Sequence, residues 1–281
     1  LTYLPSYCGA LRSGRVQGDV EPEVHQPLPS AVPADARLGF AQPAFTRGLP
    51  RALETCAAQG ICLLSVAHSH TCTSLGYFTE RIAEAGYIAF GTTNASAIVA
   101  GPGGAKRMLG TNPIAFSVPG EGGLALHFDS ATSATALGSI LKARDAGKPI
   151  PEGWAVDEAG APTIDAVAAL AGALLPAAGY KGWGLGLMVE VLASALTGSV
   201  SSRDVQGLKL GEGAPHDLGQ TYILLKPNVF SDGFAASIMD LERAVAGDPG
   251  ARLPGAHRAA ASHADVPDAL WRECLSLSTQ A

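Results

Sequence analysis

The chain has 281 residues, 47% of them apolar and 16% charged, with a formal net charge of −6. That balance excludes a disordered or fibrous chain and leaves apolar surface for one large domain or two modest ones. It argues against a nucleic-acid partner, which needs a clustered excess of Lys and Arg, and favours small-molecule chemistry.

Five cysteines, Cys8, Cys56, Cys62, Cys72 and Cys274, stand at unrelated spacings without a CxxC pair. Neither a disulfide framework nor a zinc site is suggested, and the expected compartment is the reducing cytoplasm. The opening LTYLPSYCGALRSGRV lacks the basic start, long apolar run and cleavage site of a secretory signal, and it lacks an initiator Met. The chain is therefore expected to be part of a longer one.

The proline-rich EPEVHQPLPSAVPADARLG reads as an extended loop. Beyond it FTRGLPRALETCAAQG reads as a helix, ICLLSVA as a buried strand, SLGYFTERIAEAG as a helix with Ser74 as a candidate N-cap, and YIAFGTTN as a buried strand. NPIAFSVPG and LALHFDSAT are strand-like, SILKARDAG is a short helix, TYILLKPNVF a strand, and GFAASIMDLERAVAG and VPDALWRECLSLSTQ are helices. The interleaving predicts an α/β fold with a mixed sheet flanked by helices. The expected divisions are an N-terminal helical and loop segment (1–65), a cofactor-binding α/β domain (66–235) and a C-terminal helical segment (236–281) packing back on the first.

The stretch GYKGWGLGLMVEVLASALTG, Gly179 to Gly198, admits three readings. A membrane span would place Glu190 near the bilayer centre, at a cost of about 2.5–3.5 kcal/mol. A dinucleotide loop needs GxGxxG after a strand, whereas Gly182, Gly184 and Gly186 give GxGxG with no clear strand before them. A buried helix from about Gly182 to Leu196, whose start puts Lys181 and free N–H groups beside an anion, is the preferred reading.

Taken in order, LPSYCGALRSGRV, ADARLGFAQPAF, SLGYF, GGAKRMLGTNPIAFSVPG, FDSATS, GKPIPEGWAVDEAGAPT, AGALLPAAGYKGWGLGLMVEVLASALTG and ARLPGAHR run from Leu4 to Arg258. Together they resemble the type 2 malate/L-lactate dehydrogenases, which include ureidoglycolate, sulfolactate and cyclic imino acid oxidoreductases. The resemblance implies an NAD- or NADP-dependent dehydrogenase with a non-Rossmann α/β fold, usually a homodimer. It places cofactor contacts at Thr71, Cys72, Thr73, Ser74 and Leu75, at Asp129, Ser130 and Ala131, at Tyr180 and Lys181, and at Arg252 and Arg258. Substrate contacts fall at Thr111, Leu137 and Gly138. The family's acid/base comes from a Ser-His-Gly motif that would end just before Leu1 in the matching register, so no catalytic residue is assigned within the chain.

The sequence departs from the family at Thr71, where a His is common. Relative to the imino acid reductases it lacks an Arg at Tyr3, an Arg at Leu137 and an Asp at Ser139, so their bidentate carboxylate clamp and Ser-His-Asp relay cannot form here. The expected activity is interconversion of a small 2-oxo acid and its 2-hydroxy acid, of malate, lactate or sulfolactate type. The alternatives are reduction of a cyclic 2-imino carboxylate such as pyrroline- or piperideine-2-carboxylate, and a catalytically impaired homologue serving as a binding or structural dimer. A small carboxylate is the expected partner, with no nucleic acid, membrane or metal.

Other residues carry plainer readings. His68 and His70 would share a strand face and could bind metal, but no further ligand stands at suitable spacing; ordinary polar roles are preferred. Cys72 is expected to be a packed or loop cysteine rather than a nucleophile. Asp129 could cap a turn or bind ribose, and Glu190 is expected to pair with a neighbour or cap a backbone group in the core.

Overall fold

The computed structural model describes residues 3–207, 212–255 and 265–278. In chain order the first half holds α1 (Leu4–Arg12), β1 (Glu23–Val24), β2 (Ala31–Asp35), α2 (Ala41–Gln59), β3 (Ile61–Ser69), α3 (Gly76–Glu84), β4 (Ile88–Thr93), β5 (Val99–Ala100), β6 (Arg107–Leu109), β7 (Ile114–Gly120) and β8 (Gly123–Ser130). The second half holds α4 (Leu137–Asp145), β9 (Ala155–Val156), β10 (Pro162–Thr163), α5 (Ala166–Ala171), β11 (Ala173–Leu174), α6 (Tyr180–Glu190), a π-helical turn (Val191–Ala195), β12 (Leu218–Leu225), α7 (Phe234–Ala246) and α8 (Asp268–Ser278).

These strands form a seven-stranded sheet, β1-β2-β3-β12-β4-β7-β8, and a five-stranded one, β10-β9-β11-β5-β6. Both are mixed, with β2–β3 and β11–β5 parallel and the other pairs antiparallel. The α/β class and mixed sheet expected from the sequence are present.

Alternation along the strands decides what covers the large sheet. Tyr222 of β12 is buried against Phe45 of α2 and Phe78 of α3, with ring centroids 5.1 and 5.6 Å away. Its neighbour Thr221 points to the other face and donates to Leu192 O in the π-turn at 2.6 Å. α2 and α3 thus roof one face, while the end of the α6 segment lies on the other. A smaller core of Val99, Leu109, Ile140, Ile150, Ala166 and Leu174 holds the five-stranded sheet to α4 and α5.

Three expectations are corrected. The proline-rich loop contains β1 and β2: AVPAD alternates in burial, with Val32 and Ala34 in the core, and Pro33 uses only its carbonyl, accepting from His25 N–H at 2.9 Å. A cut between residues 65 and 66 would sever β3, and one between 235 and 236 would sever α7, so the chain does not divide there. The Gly182–Leu196 helix is not buried all round. Its buried residues are Gly182, Gly186, Val189, Ala193 and Ser194, a seam of mostly small side chains, while Leu185, Leu187, Met188, Val191 and Leu196 are exposed. Among the described residues no helix is long and apolar enough to cross a membrane.

Candidate functional site

Thr132, which follows β8, joins three of the stretches singled out in the sequence. Its N–H and Oγ1 both donate to Thr111 O, at 2.9 and 3.0 Å, and Oγ1 also lies 3.1 Å from Asn112 O. Its own carbonyl accepts from Ala177 N–H at 2.9 Å, and Ala177 O in turn accepts from Gly182 N–H at 2.9 Å. The start of α6, with Tyr180 and Lys181, is thereby set against Asp129–Ala131 and Thr111. Gly182 is required there, because a Cβ would stand 2.6 Å from Thr132 O.

Asp129 brings in the fourth stretch. Its Oδ2 accepts from Gly76 N–H at 2.8 Å and from Ser74 Oγ at 3.3 Å. Ser74 is thus a ligand of Asp129 and not the N-cap of α3, whose preceding residue is Leu75. From the other side Tyr7 Oη donates to Thr71 O at 2.8 Å and Gln42 Nε2 to Cys72 O at 3.3 Å, so the 71–75 backbone is pinned on both flanks. Burial pushes the Tyr7 phenol up to about 12, which keeps it a hydrogen-bond donor.

Within that loop the side chains divide. Thr73 and Ser74 are exposed and Thr71 is half-buried, with the Thr73 hydroxyl on Cys72 O at 2.6 Å and the Ser74 hydroxyl on Asp129, whereas Cys72 and Leu75 belong to the hydrophobic core. Cys72 and Leu75 can therefore offer a ligand only their backbone groups. Burial, with Asp129 adding to it, pushes the Cys72 thiol up to about 12, which leaves it protonated and a poor nucleophile.

Asp129, Ser130, Tyr180 and Lys181 are exposed at the site, and Ala131 and Thr111 are half-buried. No side chain caps α6, and Ala178 and Gly179 turn into it at φ 49° and 63°; with Gly182 N–H on Ala177 O and Trp183 N–H on Gly179 O, the N–H groups of Tyr180 and Lys181 are left for a ligand or water. Leu137 and Gly138 begin α4, tied back through Ala134 N–H to Leu175 O at 2.8 Å; a Cβ on Gly138 would meet nothing within 4 Å. Arg252 is exposed on a segment that reaches β8, where His127 N–H donates to Pro254 O at 2.9 Å. Arg258 lies outside the described residues.

The two histidines do not share a face. His68, at φ 51°, turns its Nδ1 to Asp217 Oδ1 at 2.8 Å, while buried His70 stacks on His216 with centroids 4.0 Å apart and an interplanar angle of 5°. Glu190 is fully engaged, with Ser202 N–H at 2.7 Å and Ser201 Oγ at 3.1 Å on Oε1, and Ser202 Oγ at 2.5 Å and Asn112 Nδ2 at 2.9 Å on Oε2. It is the paired carboxylate expected from the sequence. Thr132, Asn112, Tyr7 and Gln42 were not singled out, although FDSATS and GTNP already held the first two.

A family model described as malate/L-lactate dehydrogenase matches residues 1–268. The chain is 41% identical over 276 residues to a Delta(1)-pyrroline-2-carboxylate/Delta(1)-piperideine-2-carboxylate reductase of Pseudomonas aeruginosa, covering 95% of this chain and 83% of that protein. It is 39% identical over 258 residues to a (2R)-3-sulfolactate dehydrogenase (NADP(+)) of Chromohalobacter salexigens, covering 92% and 77%. Among solved structures it is similar to the delta1-piperideine-2-carboxylate reductase of Pseudomonas syringae pvar. tomato, with a TM-score of 0.86 and 34% identity over 100% of this chain and 81% of that one. The chain belongs to the malate/L-lactate dehydrogenase family, and it is an oxidoreductase that works with NADP or NAD.

Proposed function

We propose that the protein interconverts a small 2-oxo acid and its 2-hydroxy acid, of malate, lactate or sulfolactate type, where the stretches gathered on Thr132 and Asp129 meet. That convergence carries the reading, because it assembles hydroxyls, a carboxylate and a cation from segments far apart in sequence. The donor set suits a dinucleotide. Lys181 and the uncapped start of α6 match a phosphate, Asp129 can accept from a ribose hydroxyl, and Thr71, Thr73, Ser74 and Ser130 add short polar groups. Arg252 is a candidate contact for a 2′-phosphate.

When bound, the nicotinamide supplies or accepts a hydride. Thr111 and the start of α4, Leu137 and Gly138, would border the reacting acid. The missing arginines at Tyr3 and Leu137 and the missing Asp at Ser139 favour the oxo acid. The names and identities of the Pseudomonas relatives favour a second reading, reduction of a cyclic 2-imino carboxylate. Incubating the full-length protein with pyruvate, oxaloacetate, sulfopyruvate or pyrroline-2-carboxylate while following nicotinamide absorbance separates the two.

Replacing Lys181 by Ala is expected to weaken NAD(P)H binding about tenfold, the loss of a charge-assisted contact, with the melting temperature unchanged because Lys181 is exposed. Fluorescence titration measures it; a wild-type protein that binds neither nucleotide would refute the proposal.

The exposed apolar residues of α6 and its π-turn support a homodimer. Val191 is 59% and Leu196 54% accessible, and Leu185, Leu187 and Met188 of the same helix are exposed as well, apolar side chains of the kind subunit interfaces cover. Sedimentation equilibrium is expected to give twice the chain mass, and Leu187→Lys with Val191→Lys to shift it to the monomer. A wild-type monomer at micromolar concentration would exclude the dimer.

A further inference from the structure

We propose that Glu190 is a positioning residue for the substrate side of the site: through Asn112 it fixes the turn that presents Thr111. The inference rests on the reading that Thr111 faces the substrate.

Asn112 is fully buried at φ 36°, in the left-handed region where a side chain other than glycine needs support. The support comes from two acceptors on one helix, Gly186 O at 3.1 Å and Glu190 Oε2 at 2.9 Å from Nδ2. On the other side of Thr111, Gly110 is jammed, since a Cβ would stand 2.5 Å from Ala95 O and 2.7 Å from Asn112 Oδ1. Thr111 is thus held between a closely packed Gly110 and a hydrogen-bonded Asn112, with its carbonyl on Thr132. Its hydroxyl takes no part in the net.

Structural stability alone does not call for a carboxylate at this place. A helix seam of glycine, valine and alanine would take an apolar side chain, and a desolvated carboxylate offsets its burial only when its acceptor sites are filled, as they are here. What it adds is a defined geometry, joining the end of α6, the 110–112 turn and Ser201–Ser202 at one point. The helix changes its winding immediately after it, where Leu196 N–H reaches back five residues to Val191 O at 2.8 Å. Such π-turns recur beside functional sites.

The test is a double-mutant cycle in the full-length protein, using whichever of pyruvate, oxaloacetate, sulfopyruvate and pyrroline-2-carboxylate is turned over fastest. Glu190→Gln keeps the volume but sets an amide N–H against donors. It is expected to lower kcat/KM on the order of tenfold to a hundredfold, as misplacement of a substrate contact does, with NAD(P)H affinity unchanged. The same change in a Thr111→Val background is expected to cost little more. Should Glu190→Gln fail to fold, Asn112→Gly cuts the same link while accepting the left-handed backbone, and the same coupling is expected.

Additive losses, or an effect confined to the melting temperature, would overturn the proposal while leaving the site intact. Wild-type kcat/KM in Thr111→Val would overturn both the proposal and the placing of substrate at Thr111.

Discussion

Acidifying the protein from about pH 7 to about pH 4 is expected to remove several kcal/mol of stability through two histidines alone. His70 and His216 are buried, their rings stacked at 4.0 Å, and Arg15 and Tyr7 lie on the chain packed against them. Burial first, and Arg15 second, hold His70 down to about 4; burial, His70 and Arg15 hold His216 down to about 3. In the unfolded chain both titrate near their ordinary value of about 6.5.

Above that pH neither state binds the protons, and stability is independent of them. Between about 6.5 and 4 the unfolded chain holds both protons and the folded one neither, so each ring withdraws about 1.4 kcal/mol per pH unit, an upper limit of about 2.7 together. Below the folded values the slope vanishes. Urea midpoints measured against pH test this, with His216→Phe as the comparison: it keeps the stacked ring, removes two nitrogens without hydrogen-bond partners, and is expected to halve the acid slope. An identical slope in wild type and variant would show that the stack is not its source.

Replacing Gly182 by Ala is expected to cost about 3 kcal/mol, the upper range for overpacking, because the new methyl meets backbone and not a movable side chain. It would overlap Ala177 O and stand 2.6 Å from Thr132 O, so the start of α6 must lift from the Thr132 junction. Calorimetry and NAD(P)H titration should therefore change together: a lower melting temperature and, since Lys181 moves with the helix, a weaker complex. A variant that melts lower yet binds NAD(P)H as the wild type does would separate Lys181 from the cofactor.

Five strands of the large sheet, β3, β4, β7, β8 and β12, were legible because an apolar run reports burial locally, as in ICLLSVA and YIAFGTT, whereas the two- and three-residue strands of the smaller sheet are too short to leave such a run; the ordered motifs carried the family. What escaped depends on partners remote in sequence. β2 was hidden by Pro33, whose turn signal outweighed a five-residue alternation that becomes decisive only beside β3. α6 has apolar residues all round, and only the fold shows that its small-residue seam faces inward and the leucines outward.

At the site, hydroxyl and charge chemistry could be read from residue types, but not that Cys72 and Leu75 turn into the core while Thr73 and Ser74 turn out. Thr132 gave no local signal, because it works through backbone groups some twenty and forty-five residues away; likewise Glu190 is explained by Asn112, which precedes it by 78 positions. Glu190 could be predicted to have a partner, not which one.

The place of β12 in the large sheet has a consequence for how the chain reaches this structure. Residues 218–225 lie between β3 and β4, pairing with residues 61–69 on one side and 88–93 on the other. Until the chain is made to residue 225, β3 and β4 each expose a bare, apolar edge and the sheet exists as two halves. Closing so long a loop is slow, and open edges recruit other chains. Fragments that stop before β12 should therefore aggregate, and folding in the cell must wait for synthesis of the last central strand.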